Sequence, residues 1–85
     1  MQVEIYTKLN CSYCALAKQI LNQNNIAFTE SVLEKDFTRE TLKEKFPTAT
    51  SYPVIVLDGY FIGGYNQLKT IIEEKNSNTQ KLLTE

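Results

Sequence analysis

Two cysteines, Cys11 and Cys14, are the only thiols in this 85-residue chain, and they lie three residues apart. Around them the segment TKLNCSYCALAKQIL changes from a strand-like to a helix-like pattern. Such a pair can be a disulfide staple, half of a metal site, or a redox pair that alternates between dithiol and disulfide. The chain contains no histidine. Because histidine is the commonest neutral-pH acid–base catalyst and metal ligand, any nucleophile here must be activated by other means.

The composition of the chain helps to decide among a staple, a metal site and a redox pair. A structural zinc site needs four Cys or His ligands, and this chain supplies two. A staple across so short a loop gains little from loop entropy. The start MQVEIYTK lacks the pattern of a signal peptide, and no apolar run reaches the roughly 20 residues that span a bilayer. We therefore expect a cytoplasmic protein without membrane association, where permanent disulfides are uncommon. A redox pair is favoured.

The length and the net charge further restrict the class of protein. Eighty-five residues with a hydrophobic fraction of 42% predict one domain, residues 1–85, which we expect to be monomeric. The net charge is −1 and the basic residues are scattered, so no nucleic-acid partner is predicted.

The first half of the chain predicts a strand–helix–strand unit. Alternating β-branched and aromatic residues predict strands at Val3–Thr7 and Ile26–Leu33. Between them Cys14, Ala17 and Leu21 form one apolar helical stripe, and the helix fades at the asparagine-rich NQNN segment. A βαβ unit of this length is expected to be parallel.

The second half predicts a helix, a hairpin and a last helix. Thr38 is a candidate N-cap of the helix that stops before Pro47. The pair Asp58-Gly59 predicts a type I′ hairpin turn. The last helix is expected near Asn66, with a loose polar tail after it. The fold class is therefore α/β, with the order β-α-β-α-β-β-α, a four-stranded mixed sheet and three helices flanking it.

The position of the cysteines predicts a division of labour between them. Cys11 stands ahead of the first helical turn, where the dipole and the free N–H groups of Tyr13 and Cys14 stabilise a thiolate. The charge of Lys8 would add to this. Cys14 lies on the buried stripe. We therefore expect Cys11 to attack a disulfide and Cys14 to resolve the mixed disulfide that forms.

Four blocks of the sequence, YTKLNCSYC, SYPVIV, DGYFIGG and GGYNQL, together resemble the glutaredoxins in order and spacing. The resemblance covers nearly the whole chain. It implies a thioredoxin fold with Pro53 in the cis form beside the dithiol. It also implies a glutathione-dependent oxidoreductase that reduces glutathione mixed disulfides and protein disulfides.

The resemblance further implies a set of glutathione-binding residues. Lys8 and Arg39 would hold the glycine carboxylate, and the backbone of Tyr52, before Pro53, would pair with the cysteinyl segment. The N–H groups of Tyr65 and Asn66 would bind the γ-glutamyl carboxylate. This contact is also expected on general grounds, because helix N-termini bind anions. The remaining members are Cys11, Tyr13, which lines the groove, and Gly64, which permits close backbone approach.

Three residues depart from the usual glutaredoxin pattern. Ser12 replaces a proline, which loosens the turn and adds a hydroxyl. Asn66 replaces an acid, which weakens one contact to the glutathione amine. Tyr52 replaces a small β-branched residue, and it either crowds the groove or extends a substrate contact.

Retention of both cysteines argues against a thioredoxin-fold binding module without redox activity, and two further alternatives stay open at this point. Some similar C-S-Y-C glutaredoxins hold a [2Fe–2S] cluster between two protomers, and such a cluster needs four thiolates. Cys11 and glutathione from two chains would supply them. The other alternative is a redoxin that is reduced by thioredoxin reductase and serves ribonucleotide reductase, which is also a candidate client of a glutaredoxin.

Overall fold

The strands and helices of the computed structural model follow one another in the predicted order, β-α-β-α-β-β-α. The structure describes residues 2–84, with side chains described over residues 2–75. The elements are β1 (Val3–Thr7), α1 (Ser12–Gln23), β2 (Phe28–Val32), α2 (Arg39–Lys45), β3 (Val54–Leu57), β4 (Tyr60–Gly63) and α3 (Tyr65–Thr84).

The four strands form one mixed sheet in the order β2-β1-β3-β4. Strand β1 pairs parallel with β2, with Val3 opposite Phe28, and antiparallel with β3, with Val3 opposite Leu57. Strands β3 and β4 form the hairpin. The central strand β3 is apolar throughout, because both of its faces are covered. The predicted fold class and the parallel β1–β2 pairing are confirmed.

Successive side chains of each strand point to opposite faces of the sheet, so they contribute to two separate hydrophobic cores. Ile5 and Ile55 point toward the face that α1 and α3 cover, whereas Tyr6 and Val54 point toward the face of α2. The buried residues of the first core are Val3, Ile5, Ala17, Leu21, Ile55, Leu68 and Ile72. Those of the second are Tyr6, Leu42, Ala49, Val54 and Val56, bordered by aromatic rings. Helices thus flank the sheet on both faces.

The predicted turn and cap residues do what their chemistry suggests. Thr38 caps α2, since its hydroxyl accepts from the N–H of Thr41 and its own N–H donates to the Thr41 hydroxyl. Asp58 and Gly59 both have positive φ, at 50° and 87°, as a type I′ turn requires. This hairpin lies at the end of the sheet where β1 begins, because Asp58 exchanges hydrogen bonds with Gln2.

Several boundaries differ from the sequence prediction, and the smallest difference is at the end of β2, which is Val32 and not Leu33. Strand β2 begins at Phe28 rather than Ile26, because Asn25 turns the chain with φ at 57° and the N–H of Ile26 still bonds to α1. Helix α3 starts at Tyr65 and runs to Thr84, where a loose tail was expected. The side chains of that tail lie outside the described residues. None of the helices in the described part of the chain is long and apolar enough to cross a membrane.

A polar link fastens α1 to the sheet near the cysteines. The buried hydroxyl of Thr7, at the end of β1, donates to the carboxylate of Glu30 at 2.8 Å. The ammonium of Lys18 in α1 reaches the same oxygen at 3.1 Å. The Thr7 hydrogen bond, with help from Lys18, holds the pKa of the Glu30 carboxyl below its usual value. Three elements therefore meet at this carboxylate, which adds a polar contact to the apolar packing of α1 on the sheet.

Candidate active site

The junction between β1 and α1 delivers Cys11 to the surface. After Thr7 the chain leaves the sheet through an exposed loop in which Asn10 adopts φ of 56°. Asparagine tolerates this left-handed conformation better than most residues do. Cys11 follows with extended backbone and is the N-cap of α1. The strand and helix thus place one sulfur ahead of the first helical turn, as predicted.

The two cysteines differ in their surroundings, as the apolar stripe predicts. Cys11 is partly exposed, whereas Cys14 is 2% exposed and packs within the fold. The structure has them joined as a disulfide, with their Cα atoms 5.2 Å apart. The N–H of Cys14 donates to Cys11 Sγ at 3.1 Å. The corresponding bond from the Tyr13 N–H is absent among the described residues, so the backbone support comes from Cys14.

A groove of about 360 Å³ opens beside the first turn of α1. This volume falls within the usual range for small-molecule sites. Three segments line it: Tyr13 from α1, the turn before β3, and the start of α3. Its lining residues are Tyr13, Ser51, Tyr52, Pro53, Gly64, Tyr65, Asn66 and Gln67. The Tyr52–Pro53 peptide bond is cis, as the resemblance implied.

The start of α3 approaches the proline turn closely at Gly64. A Cβ on Gly64 would lie 3.3 Å from the carbonyl oxygen of Pro53. Gly63 has φ of 127°, and a Cβ there would lie 2.7 Å from the side chain of Gln67. That side chain is already engaged, since its Oε1 accepts from the Gly64 N–H at 2.9 Å.

This arrangement leaves donors free at the groove. The Gln67 side chain satisfies the N–H of the residue before the helix, in the manner of half a capping box. The N–H groups of Tyr65, Asn66 and Gln67 begin the helix and have no carbonyl one turn earlier to bond. The first turn of α3 carries no acidic residue. The groove therefore ends at an uncompensated helix N-terminus, which is suited to bind an anion.

Two cations lie near the ring of Tyr52, which is one of the residues that line the groove. Lys8 Nζ lies 5.6 Å from the ring centroid and Arg39 Cζ lies 6.0 Å from it. Both side chains are exposed. Lys8 comes from the β1–α1 loop and Arg39 from the first residue of α2, so the fold brings three distant segments together.

The structure thus gathers the residues that the resemblance singled out. Tyr13, Tyr52, Pro53, Gly64, Tyr65 and Asn66 line one groove, Lys8 and Arg39 flank Tyr52, and Cys11 opens the helix that carries Tyr13. Two lining residues were missed. A glutamine at the third position of a helix after Gly-Gly is a recognisable capping signal, so Gln67 could have been found. Ser51 carries no comparable signal.

A thioredoxin fold with a C-x-x-C pair at a helix start defines a thiol–disulfide oxidoreductase. The glutaredoxin family model matches residues 3–62, and this chain belongs to that family. It is 35% identical to glutaredoxin 3 of Escherichia coli (strain K12) over 66 residues, which cover 78% of this chain and 80% of the relative.

Two further relatives cover more of the chain. Glutaredoxin 1 of Rickettsia conorii is 35% identical over 83 residues, covering 93% of this chain and 78% of the relative. The crystal structure of glutaredoxin 1 from Francisella tularensis, complexed with cacodylate, superimposes with a TM-score of 0.68 at 31% identity. That match covers 99% of this chain and 98% of the other.

The packing at Gly63 generates a stability prediction. Gly63→Ala forces φ of 127° on a residue with a Cβ and displaces Gln67 from the Gly64 N–H. Gly59→Ala is the matched control, since its φ of 87° is also unfavourable but nothing lies within 4 Å of its Cβ. We expect G59A to lose about 1–2 kcal/mol of unfolding free energy and G63A at least about 1 kcal/mol more. Urea unfolding checks this, and equal losses would contradict the close contact.

Proposed function

We propose that this glutaredoxin is a glutathione-dependent enzyme that reduces glutathione mixed disulfides and protein disulfides through a dithiol mechanism. The observation that carries the proposal is the groove beside the first turn of α1, which has a helix N-terminus in its wall and is also lined by Tyr52, the residue whose ring lies within about 6 Å of the cations of Lys8 and Arg39. Glutathione is an extended tripeptide with a carboxylate at each end, so its charges match this layout.

The anchors of glutathione follow from the two cations and the helix N-terminus. Lys8 and Arg39 receive the glycine carboxylate, and the N–H groups of Tyr65 and Asn66 receive the γ-glutamyl carboxylate. Between them the backbone of Tyr52 pairs with the cysteinyl segment, and Tyr13 borders the groove. The rings of Tyr13 and Tyr65 lie 5.9 Å apart, so they form one continuous wall. Gly64 and Pro53 keep the backbone close to the bound tripeptide.

The first chemical step takes place at Cys11. Its thiolate attacks the glutathione sulfur of a mixed disulfide, a new S–S bond forms to Cys11, and the other thiol leaves as a thiolate that takes a proton from water. A second glutathione thiolate then attacks the glutathione sulfur on Cys11. Oxidised glutathione leaves and the Cys11 thiolate is regenerated. This route needs only one cysteine of the protein.

Protein disulfides need the second cysteine. Cys11 attacks one sulfur of the client disulfide, and a mixed disulfide forms between the two proteins. The Cys14 thiolate then attacks Cys11 Sγ, which releases the client as a dithiol and leaves the Cys11–Cys14 disulfide seen in the structure. Two glutathione molecules reduce that disulfide in turn. Cys14 is suited to this role because it is buried and meets only sulfurs that Cys11 brings to it.

The proposal includes the surroundings in which this chemistry runs. Glutathione as reductant and a reactive pair of thiols suit a reducing cytoplasm. Disulfide-containing proteins are the clients. The exposed Leu9 and Tyr13 flank Cys11 in sequence and would meet such clients first.

Single substitutions distinguish the roles of the two cysteines. Cys11→Ser removes the attacking sulfur, so both reactions should fall to the background rate. Cys14→Ser should retain reduction of a glutathione mixed disulfide but lose most of the reduction of a protein disulfide, because only the latter needs the resolving thiol. Turnover is measured with one substrate of each type. Residual turnover by C11S, or equal losses in C14S, would contradict the assigned roles.

The source of electrons is tested by comparing reductants. Glutathione with glutathione reductase should support turnover of the wild-type protein, because the groove provides anchors for both carboxylates of the tripeptide. Thioredoxin reductase, run in parallel at the same protein concentration, should support little. The opposite result would reverse the proposal in favour of a redoxin that thioredoxin reductase serves. A C11S sample gives the background for both reductants.

A further inference from the structure

The side chain of Tyr52 organises the charged end of the groove. Its ring is the common neighbour of two cations that come from separate segments, Lys8 at 5.6 Å and Arg39 at 6.0 Å from its centroid. Both distances fall within the range of cation–π attraction. The ring is only partly exposed, and Phe37 supports it from the side, with centroids 6.4 Å apart and planes tilted by 30°. Tyr52 is therefore held while the cations are drawn to it.

The placement of these cations is not explained by the stability of the fold. In the part of the chain that the structure describes, neither Lys8 nor Arg39 pairs with a carboxylate. Arg39 is also the first residue of α2, where a positive charge opposes the helix dipole. Two like charges near one ring repel each other, and an anion bound close to both relieves that repulsion. The arrangement is thus suited to a ligand that brings a negative charge.

Long cationic side chains normally lose much rotamer freedom when they bind a ligand. A ring that already restrains both of them lowers that cost, because the charges are arranged before the ligand arrives. A small β-branched residue at position 52 offers no aromatic face. We propose that Tyr52 is a positioning residue, whose ring holds Lys8 and Arg39 ready for the glycine carboxylate and so makes the enzyme selective for thiols that carry it. The inference rests on the proposed glutathione-dependent function.

Selectivity for the carboxylate is tested in a Cys14→Ser background, where only Cys11 reacts. The substrates are the mixed disulfides of nitrothiophenol with glutathione and with glutathione esterified at its glycine carboxylate. Attack of Cys11 on the glutathione sulfur releases coloured nitrothiophenolate in both cases. The measured quantity is the ratio of the two second-order rate constants. We expect the protein with Tyr52 to prefer the free carboxylate by about tenfold, as charge-assisted hydrogen bonds suggest.

Two variants at position 52 separate the ring from the hydroxyl. Tyr52→Val removes the ring, and the preference for the free carboxylate should fall about threefold or more. Tyr52→Phe keeps the ring and should keep the preference. An unchanged ratio in Y52V, or an equal fall in Y52F, would overturn the role of the ring. The role of the ring would also be overturned if the protein with Tyr52 showed no preference for the free glycine carboxylate.

The same experiment keeps the failure of the proposed function apart from the failure of this inference. If the protein reacts with the glutathione mixed disulfide no faster than with the corresponding disulfide of cysteine, glutathione recognition itself fails. If it distinguishes these two but Y52V keeps the preference for the carboxylate, only the role of Tyr52 fails.

A measurement on the unsubstituted protein covers the case in which Y52V does not fold. Methylene protons held over an aromatic ring are shielded, so the Lys8 Hε and Arg39 Hδ signals should lie upfield in the NMR spectrum of the ligand-free protein. Lys69, which lies on α3 outside this group, provides reference signals. Ordinary shifts for both Lys8 and Arg39 would contradict their restraint by the ring.

Discussion

The hydrogen bond from the Cys14 N–H to Cys11 Sγ is the interaction on which the chemistry of this protein depends. It exists because Cys11 caps α1, so its sulfur meets the N–H groups that a helix leaves unsatisfied in its first turn. A thiolate at this place gains from the helix dipole, and no acidic side chain in that turn opposes it. In a chain without histidine, the backbone must supply most of this activation.

The rest of the fold serves to present this helix start together with two other backbone features. Strand β1 delivers Cys11, the turn before β3 delivers Pro53, and β4 delivers the beginning of α3. Since β1 and β3 are neighbours in the sheet and β4 is next to β3, the three features meet at one groove. In each of these three features, backbone groups contribute as much as side chains do. A small domain can therefore build a groove of this kind with few charged residues.

Much of this could be predicted from local chemistry. Alternation located β1, the Asp58-Gly59 pair located the hairpin, and Thr38 located the start of α2, because each of these signals acts within a few residues. The start of β2 was harder to place. There Asn25 takes a left-handed conformation that removes Ile26 from the second strand, and the same asparagine-rich letters also fit an earlier or later turn.

The groove could be predicted only through resemblance. Lys8, Arg39 and Tyr52 lie far apart in the sequence, and nothing in their local pattern reports that they share one ring. The cis form of Pro53 was likewise implied by the family and not by proline propensity. Gln67 was overlooked although its position three residues after Gly64 fits a capping box, and only its close approach to Gly63 is beyond what a sequence shows. Short-range sequence patterns predict the strands and helices, but they do not predict contacts between segments that are distant in the sequence.

The most direct test of the account is the rate at which iodoacetamide alkylates Cys11 in the reduced Cys14→Ser protein, measured against pH beside free cysteine. If the helix start stabilises the thiolate, alkylation at neutral pH should be about tenfold faster than for free cysteine, of which only a few per cent is thiolate. The rate should also level off at a lower pH. A rate and a pH profile that match those of free cysteine would contradict the account.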